Sequence, residues 1–324
     1  MEELKTNVVN EKRVQALAMD FLTVSQQAAI AAYPWIGKGK KNEADGAGTE
    51  AMRNQLNLID MSGLIVIGEG ELDEAPMLYI DEEVGTGRGP QIDIAVDPID
   101  GTSAIAKGLD NSIAVLAASV KGSLLHAPDM YMKKIAVGPK AKGCIDIDAP
   151  LIENMKAVAN TLGKSLQELT VMIQERPRHN HLIKQVFDAG ASVRLFTDGD
   201  VTGSIATAIE EMDVDILVGT GGAPEGVIAA TALKSLGGDF QGKLAPQNQE
   251  EFDRCMKMGL SEPEKALTID EIVKSDDCFF VATGITDNML MKGIRKKENG
   301  LTLTHSFLTV GGSVSKYQSI ETYY

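Results

Sequence analysis

The chain has 324 residues, 44% of them hydrophobic, enough to bury one large core or two ordinary ones. Its formal charge of −15 excludes nucleic acid as a partner class, because backbone recognition needs a basic face that neutralises several phosphates; a small phosphorylated ligand, held by a few local cations or by metal ions, is not excluded. No eighteen apolar residues run together, the first ten residues are polar and acidic, and the three cysteines (Cys144, Cys255, Cys278) lie far apart without CxxC spacing, so no membrane span, leader, disulfide framework or zinc site is expected and a cytoplasmic location is.

In chain order, Glu11 to Ala32 carries apolar residues at helical spacing until Pro34 interrupts it, and a second helix is expected from about Ala47 to Leu58, after the polar turn GKGKKNEADG. LIVIGEGE reads as a buried strand running into a glycine-bearing turn, and DIAVDPIDGTS repeats that pattern. SIAVLAASV and KIAVGP continue as strands. Near Ala149 to Leu151 the texture changes to helices (ENMKAVANTLG, then SLQELT) alternating with short strands (TVMIQ, SVRLFT, DILVG, FFVATG). Such alternation predicts an α/β layered sandwich, divided into an N-terminal metal-binding domain, 1–150, and a C-terminal ligand-binding domain, 151–324. Lys243 to Glu251 reads as an exposed loop.

The segment Asp97-Pro98-Ile99-Asp100-Gly101-Thr102 carries the main chemical signal. The preceding apolar residues place Asp97 at a strand end, and Pro98 ends regular pairing, so two carboxylates and a hydroxyl leave one turn. Hard divalent cations take oxygen ligands of this kind. A solvated acidic turn capping a helix is the plainer reading of one DPxDG alone. A second acidic turn, Gly68-Glu69-Gly70-Glu71, also follows an apolar strand, and both would sit at the carboxyl edge of one sheet, where α/β proteins bind ligands. Asp45 in NEADG is a third contributor or, alone, a helix N-cap.

These residues resemble the metal motifs of the lithium-sensitive phosphatases, and more closely the class II (GlpX-type) fructose-1,6-bisphosphatases. The similarity continues in order through KGKKNEADG, APDMYMKK, AKGCIDID, RPRHN, DGDV, GGAPEG and ATGIT, nearly the whole chain. It implies a sugar-phosphatase fold and Mn²⁺ or Mg²⁺ bound by Asp45, Glu69, Asp97, Asp100 and Glu225. It further implies catalysis by Thr102 with Asp97 and Glu69, Thr102 orienting and deprotonating the attacking water. Substrate contacts are implied for Asp100, Gly101, Thr102, Tyr131, Arg176, Pro177, Arg178, Asp198, Gly199, Asp200 and Gly222. Two positions depart from many members: Asp100 stands where they have Glu, and Lys40 where they have an acidic residue.

The same residues have local readings. Arg176 and Arg178 offer forked donors suited to a phosphate or form a surface pair at a proline turn; Tyr131 could be a half-buried core residue. Lys133 and Lys134 read as surface charges or as groups near a phosphate. Asp198 is a turn former and Asp200 a helix N-cap. GGAPEG reads as a helix start, while His179 and His181, without a third soft ligand, read as structural or peripheral. The resemblance implies hydrolysis of the 1-phosphate of fructose 1,6-bisphosphate, a small sugar bisphosphate, by a homo-oligomer (dimer or tetramer). Alternatives are a dual enzyme also acting on sedoheptulose 1,7-bisphosphate, a more distant inositol monophosphatase, and a catalytically silent sugar-phosphate-binding regulator.

Overall fold

A computed structural model describes residues 14–68, 78–312 and 317–324. The chain is mixed α/β, in two compact units: the described residues of Met1–His126 with Val273–Tyr324, and Ala127–Ile272. The first stretch holds α1 (Ala18–Ala32), α2 (Lys41–Leu56), β1 (Ser62–Ile67), β2 (Glu83–Val84), β3 (Gln91–Asp100), α3 (Thr102–Lys107) and β4 (Ile113–Val120). The second unit holds β5 (Tyr131–Val137), α4 (Leu151–Leu162), β6 (Thr170–Gln174), α5 (Asn180–Asp188), β7 (Ser192–Phe196), α6 (Asp200–Ala206), β8 (Ile216–Gly222) and α7 (Ala223–Leu236). It closes with β9 (Asp239–Leu244), α8 (Gln249–Lys257), β10 (Leu267–Thr268) and α9 (Ile269–Ile272). The chain then returns to the first unit with β11 (Cys278–Gly284), β12 (Arg295–Lys296), β13 (Thr302–Val310) and β14 (Gln318–Tyr323).

The units do not follow the expected break at 150–151. Strand β11 pairs antiparallel with β4 along its whole length, Cys278 opposite Ser119 and Gly284 opposite Ile113, so the second unit is an insertion between two neighbouring strands of the first. The change of texture near 150 falls inside that insertion, after β5.

The first unit's sheet runs β12-β13-β11-β4-β3-β1-β2, with β14 on β13. The apolar residues of α1 explain its packing: Phe21, Leu22, Ala28 and Ala29 join one buried cluster with Ile92, Ile94 and Val96 of β3 and Phe279 and Val281 of β11. Phe21 meets Phe279 edge-on, ring centroids 4.9 Å apart, and truncating either ring would cost about 3–5 kcal/mol. A short turn, Tyr33–Trp35, ends α1 at Pro34. The strands β1 and β3 are parallel neighbours, Ile67 opposite Ala95, so both carboxyl ends reach one edge.

The second unit's sheet runs β10-β9-β5-β8-β6-β7, with β6, β7 and β8 parallel. Strand alternation divides β5 between its faces. Ile135 and Val137 cluster with Leu151, Met155 and Val158 of α4 and Val186 of α5, whereas Met132 and Lys134 of the opposite face lie against Gly226 of α7. Helices therefore cover both faces, and the carboxyl ends of β6, β7 and β8, with the start of antiparallel β5, share one edge. The expected SLQELT helix is only a single turn, Leu166–Glu168, and β9 occupies the start of the segment read as a loop. Among the described residues no helix is long and apolar enough to cross a membrane.

Candidate active site

Strand β3 does not stop at Asp97; it continues to Asp100 through an irregularity. Asp97 lies opposite Val115 of β4 and Asp100 opposite Ile113, three steps on one strand against two on the other. Strict alternation would send side chains 97 and 100 to opposite faces. The extra residue of the bulge restores the parity, and each aspartate brings a carboxylate oxygen to within 4.8 Å of the other. Pro98, which has no N–H to offer a ladder, sits in that bulge, and Asp97 Oδ1 accepts the Ile99 N–H at 3.0 Å. The turn is fastened by Gly101, at φ 92°: a Cβ there would fall 2.4 Å from the Asn111 carbonyl, and Ser112 Oγ donates to the Gly101 carbonyl at 2.8 Å. Gly101 is thus the cap residue of α3, and Thr102 is its first helical residue, half-buried.

Helix α2 begins at Lys41, six residues before the expected Ala47, because the glycines that obscure its start are packing positions. Gly48 lies against the Ile99 side chain and the Pro98 carbonyl, which a Cβ would meet at 3.3 and 3.5 Å. Asp45, three residues earlier on the same helix face, is inside the helix and so is not its N-cap. Its Oδ1 is buried without a hydrogen-bond partner among the described residues, and burial raises its pKa to about 6 against the opposing charge of Lys41. Lys40 precedes the helix as a surface residue, 3.5 Å from the Glu43 carboxylate and 5.7 Å from the Trp35 ring centre. Glu69 lies outside the described residues.

In the second unit the sequence GTGG at the end of β8 makes room for buried side chains. A Cβ on Gly221 would fall 2.2 Å from Asp200 Oδ2, and one on Gly222 1.9 Å from Glu225 Oε2. The Glu225 carboxylate folds back from the first turn of α7; its Oε2 is buried without a hydrogen-bond partner among the described residues. Burial raises its pKa, opposed by Lys134 and reinforced by Asp200 and Asp129. Lys134 is not a surface charge: its side chain is 1% exposed and its Nζ lies 2.6 Å from Asp200 Oδ2. Asp200 is correspondingly not an N-cap; Gly199, at φ 77°, occupies that position and Asp200 is the first residue of α6.

The other expected substrate residues gather along this edge. Tyr131 lies opposite Gly222 in the β5–β8 ladder, and the Arg178 guanidinium stacks over its ring, 5.0 Å from the centroid. Arg178 also donates from Nε to the Thr220 carbonyl at 2.9 Å and from Nη2 to Gln174 Oε1 at 3.0 Å. Pro177 opens the turn that carries Arg178, and Arg176 Nη2 lies 3.4 Å from Asp198 Oδ1. Lys133 and His181 are exposed, while His179 is buried. Sequence reasoning missed Lys134, Gln174 and Thr220. The alternation in YMKKIAV, with Met132, Lys134 and Ala136 on one side, was the available sign that Lys134 points inward.

In the first unit the closely spaced pair at Asp97 and Asp100, with Asp45 Oδ1 buried without a hydrogen-bond partner among the described residues, offers the all-oxygen donors that hard divalent cations take; in the second unit Glu225 Oε2 is an oxygen donor of the same kind.

A family model described as bacterial fructose-1,6-bisphosphatase, glpX-encoded, matches residues 15–324. The chain is 49% identical over 321 residues to the fructose-1,6-bisphosphatase class 2 of Haemophilus influenzae, covering 94% of this chain and 96% of that one. It is 47% identical over 319 residues to the fructose-1,6-bisphosphatase 1 class 2 of Escherichia coli K12, covering 94% of each. Among solved structures, the extragenic suppressor protein SuhB of Bartonella henselae matches 59% of this chain and 73% of its own, at 12% identity and a TM-score of 0.35.

Proposed function

Because this chain belongs to the bacterial class II fructose-1,6-bisphosphatase family, we propose that it hydrolyses the 1-phosphate of fructose 1,6-bisphosphate to fructose 6-phosphate and phosphate, with Mn²⁺ or Mg²⁺ as cofactor. The geometric observation that supports this reading most is the bulge that turns Asp97 and Asp100 toward each other immediately before the Thr102 hydroxyl. Asp45, Glu69, Asp97, Asp100 and Glu225 are the cation ligands. Bound cations supply positive charge for the phosphate and a more acidic water.

The chain's own groups do the rest. Thr102 orients the attacking water and passes its proton toward the carboxylates of Asp97 and Glu69, while Asp100, Gly101 and Thr102 border the reacting phosphate. The guanidinium groups of Arg176 and Arg178, with Pro177 holding the turn between them, bind the distant phosphate through forked donors. Asp198, Gly199 and Asp200 meet the sugar hydroxyls, and Tyr131 and Gly222 close that side. Arg178 needs little reordering on binding, since Gln174, Thr220 and Tyr131 already hold it. A silent sugar-phosphate regulator would not require buried carboxylates without donors.

The test is phosphate release from fructose 1,6-bisphosphate after exhaustive chelation and again after adding Mn²⁺ or Mg²⁺, with sedoheptulose 1,7-bisphosphate and inositol 1-phosphate in parallel. Turnover of fructose 1,6-bisphosphate only with metal is expected. Full turnover after chelation, or none with either metal, overturns the reading.

A further inference from the structure

The parallel strands β6 and β8 pair only at Val171 with Ile216 and Met172 with Leu217. Beyond that point β6 continues to Gln174 and β8 to Gly222, so the ladder opens into a fork, at the edge where Arg178 sits. The His179 ring, 1% exposed, bridges the fork. Its Nδ1 lies 2.7 Å from the Gln174 carbonyl oxygen, and the Thr220 N–H lies 2.8 Å from its Nε2. A carbonyl can only accept and an amide N–H can only donate, so these partners specify one state: neutral imidazole with the proton on Nδ1. Burial, which lowers the pKa of this ring, favours the same neutral state. The ring fits because position 219 is glycine; a Cβ there would meet its Cε1 at 3.2 Å.

The two residues that His179 joins are the two that hold Arg178. Gln174 accepts from His179 with its carbonyl and from Arg178 with its side chain; Thr220 donates its N–H to His179 and gives its carbonyl to Arg178. We propose that His179 is a positioning residue of the substrate site, closing the fork between β6 and β8 so that Gln174 and Thr220 aim Arg178 at the substrate's distant phosphate. The inference rests on the reading of Arg178 as a phosphate ligand given above. His179 acts through Arg178, and its contribution belongs to binding rather than to the chemical step.

The experiment is steady-state kinetics of the metal-loaded enzyme on fructose 1,6-bisphosphate for Arg178→Ala, His179→Phe, His179→Gln and the double variant Arg178→Ala/His179→Phe. Phenylalanine fills the slot without either hydrogen bond; the glutamine amide can donate to Gln174 and accept from Thr220 as the ring does. Arg178→Ala and His179→Phe should each raise KM roughly tenfold with kcat within about twofold of wild type, the signature of uniform binding lost. His179→Gln should restore KM, and the double variant should be no worse than Arg178→Ala alone. If Arg178→Ala raises KM but His179→Phe does not, or if the two effects multiply in the double variant, the positioning role is overturned and the phosphate reading stands. A wild-type KM for Arg178→Ala overturns the phosphate reading itself. Should His179→Phe fail to fold, ¹⁵N-histidine spectra of the wild-type enzyme near pH 7 decide. Neutral imidazole protonated at Nδ1 supports the clamp, and an imidazolium or an Nε2–H tautomer overturns it.

Discussion

At the end of β3 two carboxylates, Asp97 and Asp100, are held within 4.8 Å of each other by a bulge, whereas at the ends of β6, β7 and β8 cations are set against acceptors: Lys134 on Asp200, Arg176 on Asp198, Arg178 on the Thr220 carbonyl and Gln174. The first arrangement concentrates negative charge within four consecutive residues. The second offsets charge internally and is assembled from segments up to 66 residues apart. Like charges brought close raise the free energy of the bare site and favour a divalent cation; balanced, pre-oriented cations receive an anion without a large reorganisation. The lesson is a difference in charge design: one edge concentrates negative charge, and the other sets cations against acceptors already in place.

The comparison can be broken most severely at the first edge. Thr102→Ala should lower kcat by roughly 10²- to 10⁴-fold with little change in KM, if the hydroxyl handles the water's proton. Because Gly101, not Thr102, is the cap residue of α3, the melting temperature of the variant should stay near wild type. A variant that turns over normally would leave the β3 edge with metal binding alone.

At the second edge, Lys134→Met should cost about 3–5 kcal/mol of stability in urea unfolding, since Asp200 would remain buried without its cation. The double variant Lys134→Met/Asp200→Asn should recover most of that loss while binding substrate weakly. Equal stability of the single variant and wild type would show that the balance of charge there is not structural.

Gly222→Ala sharpens the contrast, because it carries a metal-ligand expectation into the second unit. Its Cβ would collide with the Glu225 carboxylate, so the metal concentration for half-maximal activity should rise about 10- to 100-fold, as for other changes that misplace a ligand. An unchanged metal requirement would remove Glu225 from the ligand set. The smallest effect belongs to Lys40→Glu: with both partners of the Lys40–Glu43 pair exposed, thermal unfolding should shift by no more than about 0.5 kcal/mol equivalent.

The difference between the two edges also explains how much could be read before the structure. DPIDGT was legible because its geometry is local: one proline, one glycine and two carboxylates within six residues select the turn, and family resemblance then attached roles to Asp45, Glu69 and Glu225. The strand starts and ends around LIVI, IAVLAASV, TVMIQ and DILVG were legible for the same reason, each being an apolar run bounded by turn residues. The beginning of α2 was hidden by Gly46 and Gly48, which lower helix propensity although Gly48 is there for close packing on Pro98 and Ile99. Strand β14, QSIETY, was missed because it is an edge strand without a buried face.

By itself the sequence determined the fold class and the acidic character, because these depend on composition and on dihedral preferences within a few residues, and the resemblance of its ordered motifs carried the family and the residue types at the candidate site. Only the tertiary structure decided where the units divide, since that depends on β11 returning to β4. It also decided that Lys134 is buried against Asp200, that the glycines of GTGG are slots for Asp200, Glu225 and His179, and that the His179 ring bridges β6 to β8. Each of these depends on contacts between segments distant in sequence; a slip of one residue in strand register would turn Lys134 to the other face of β5 and move the glycine slots of β8 away from their occupants.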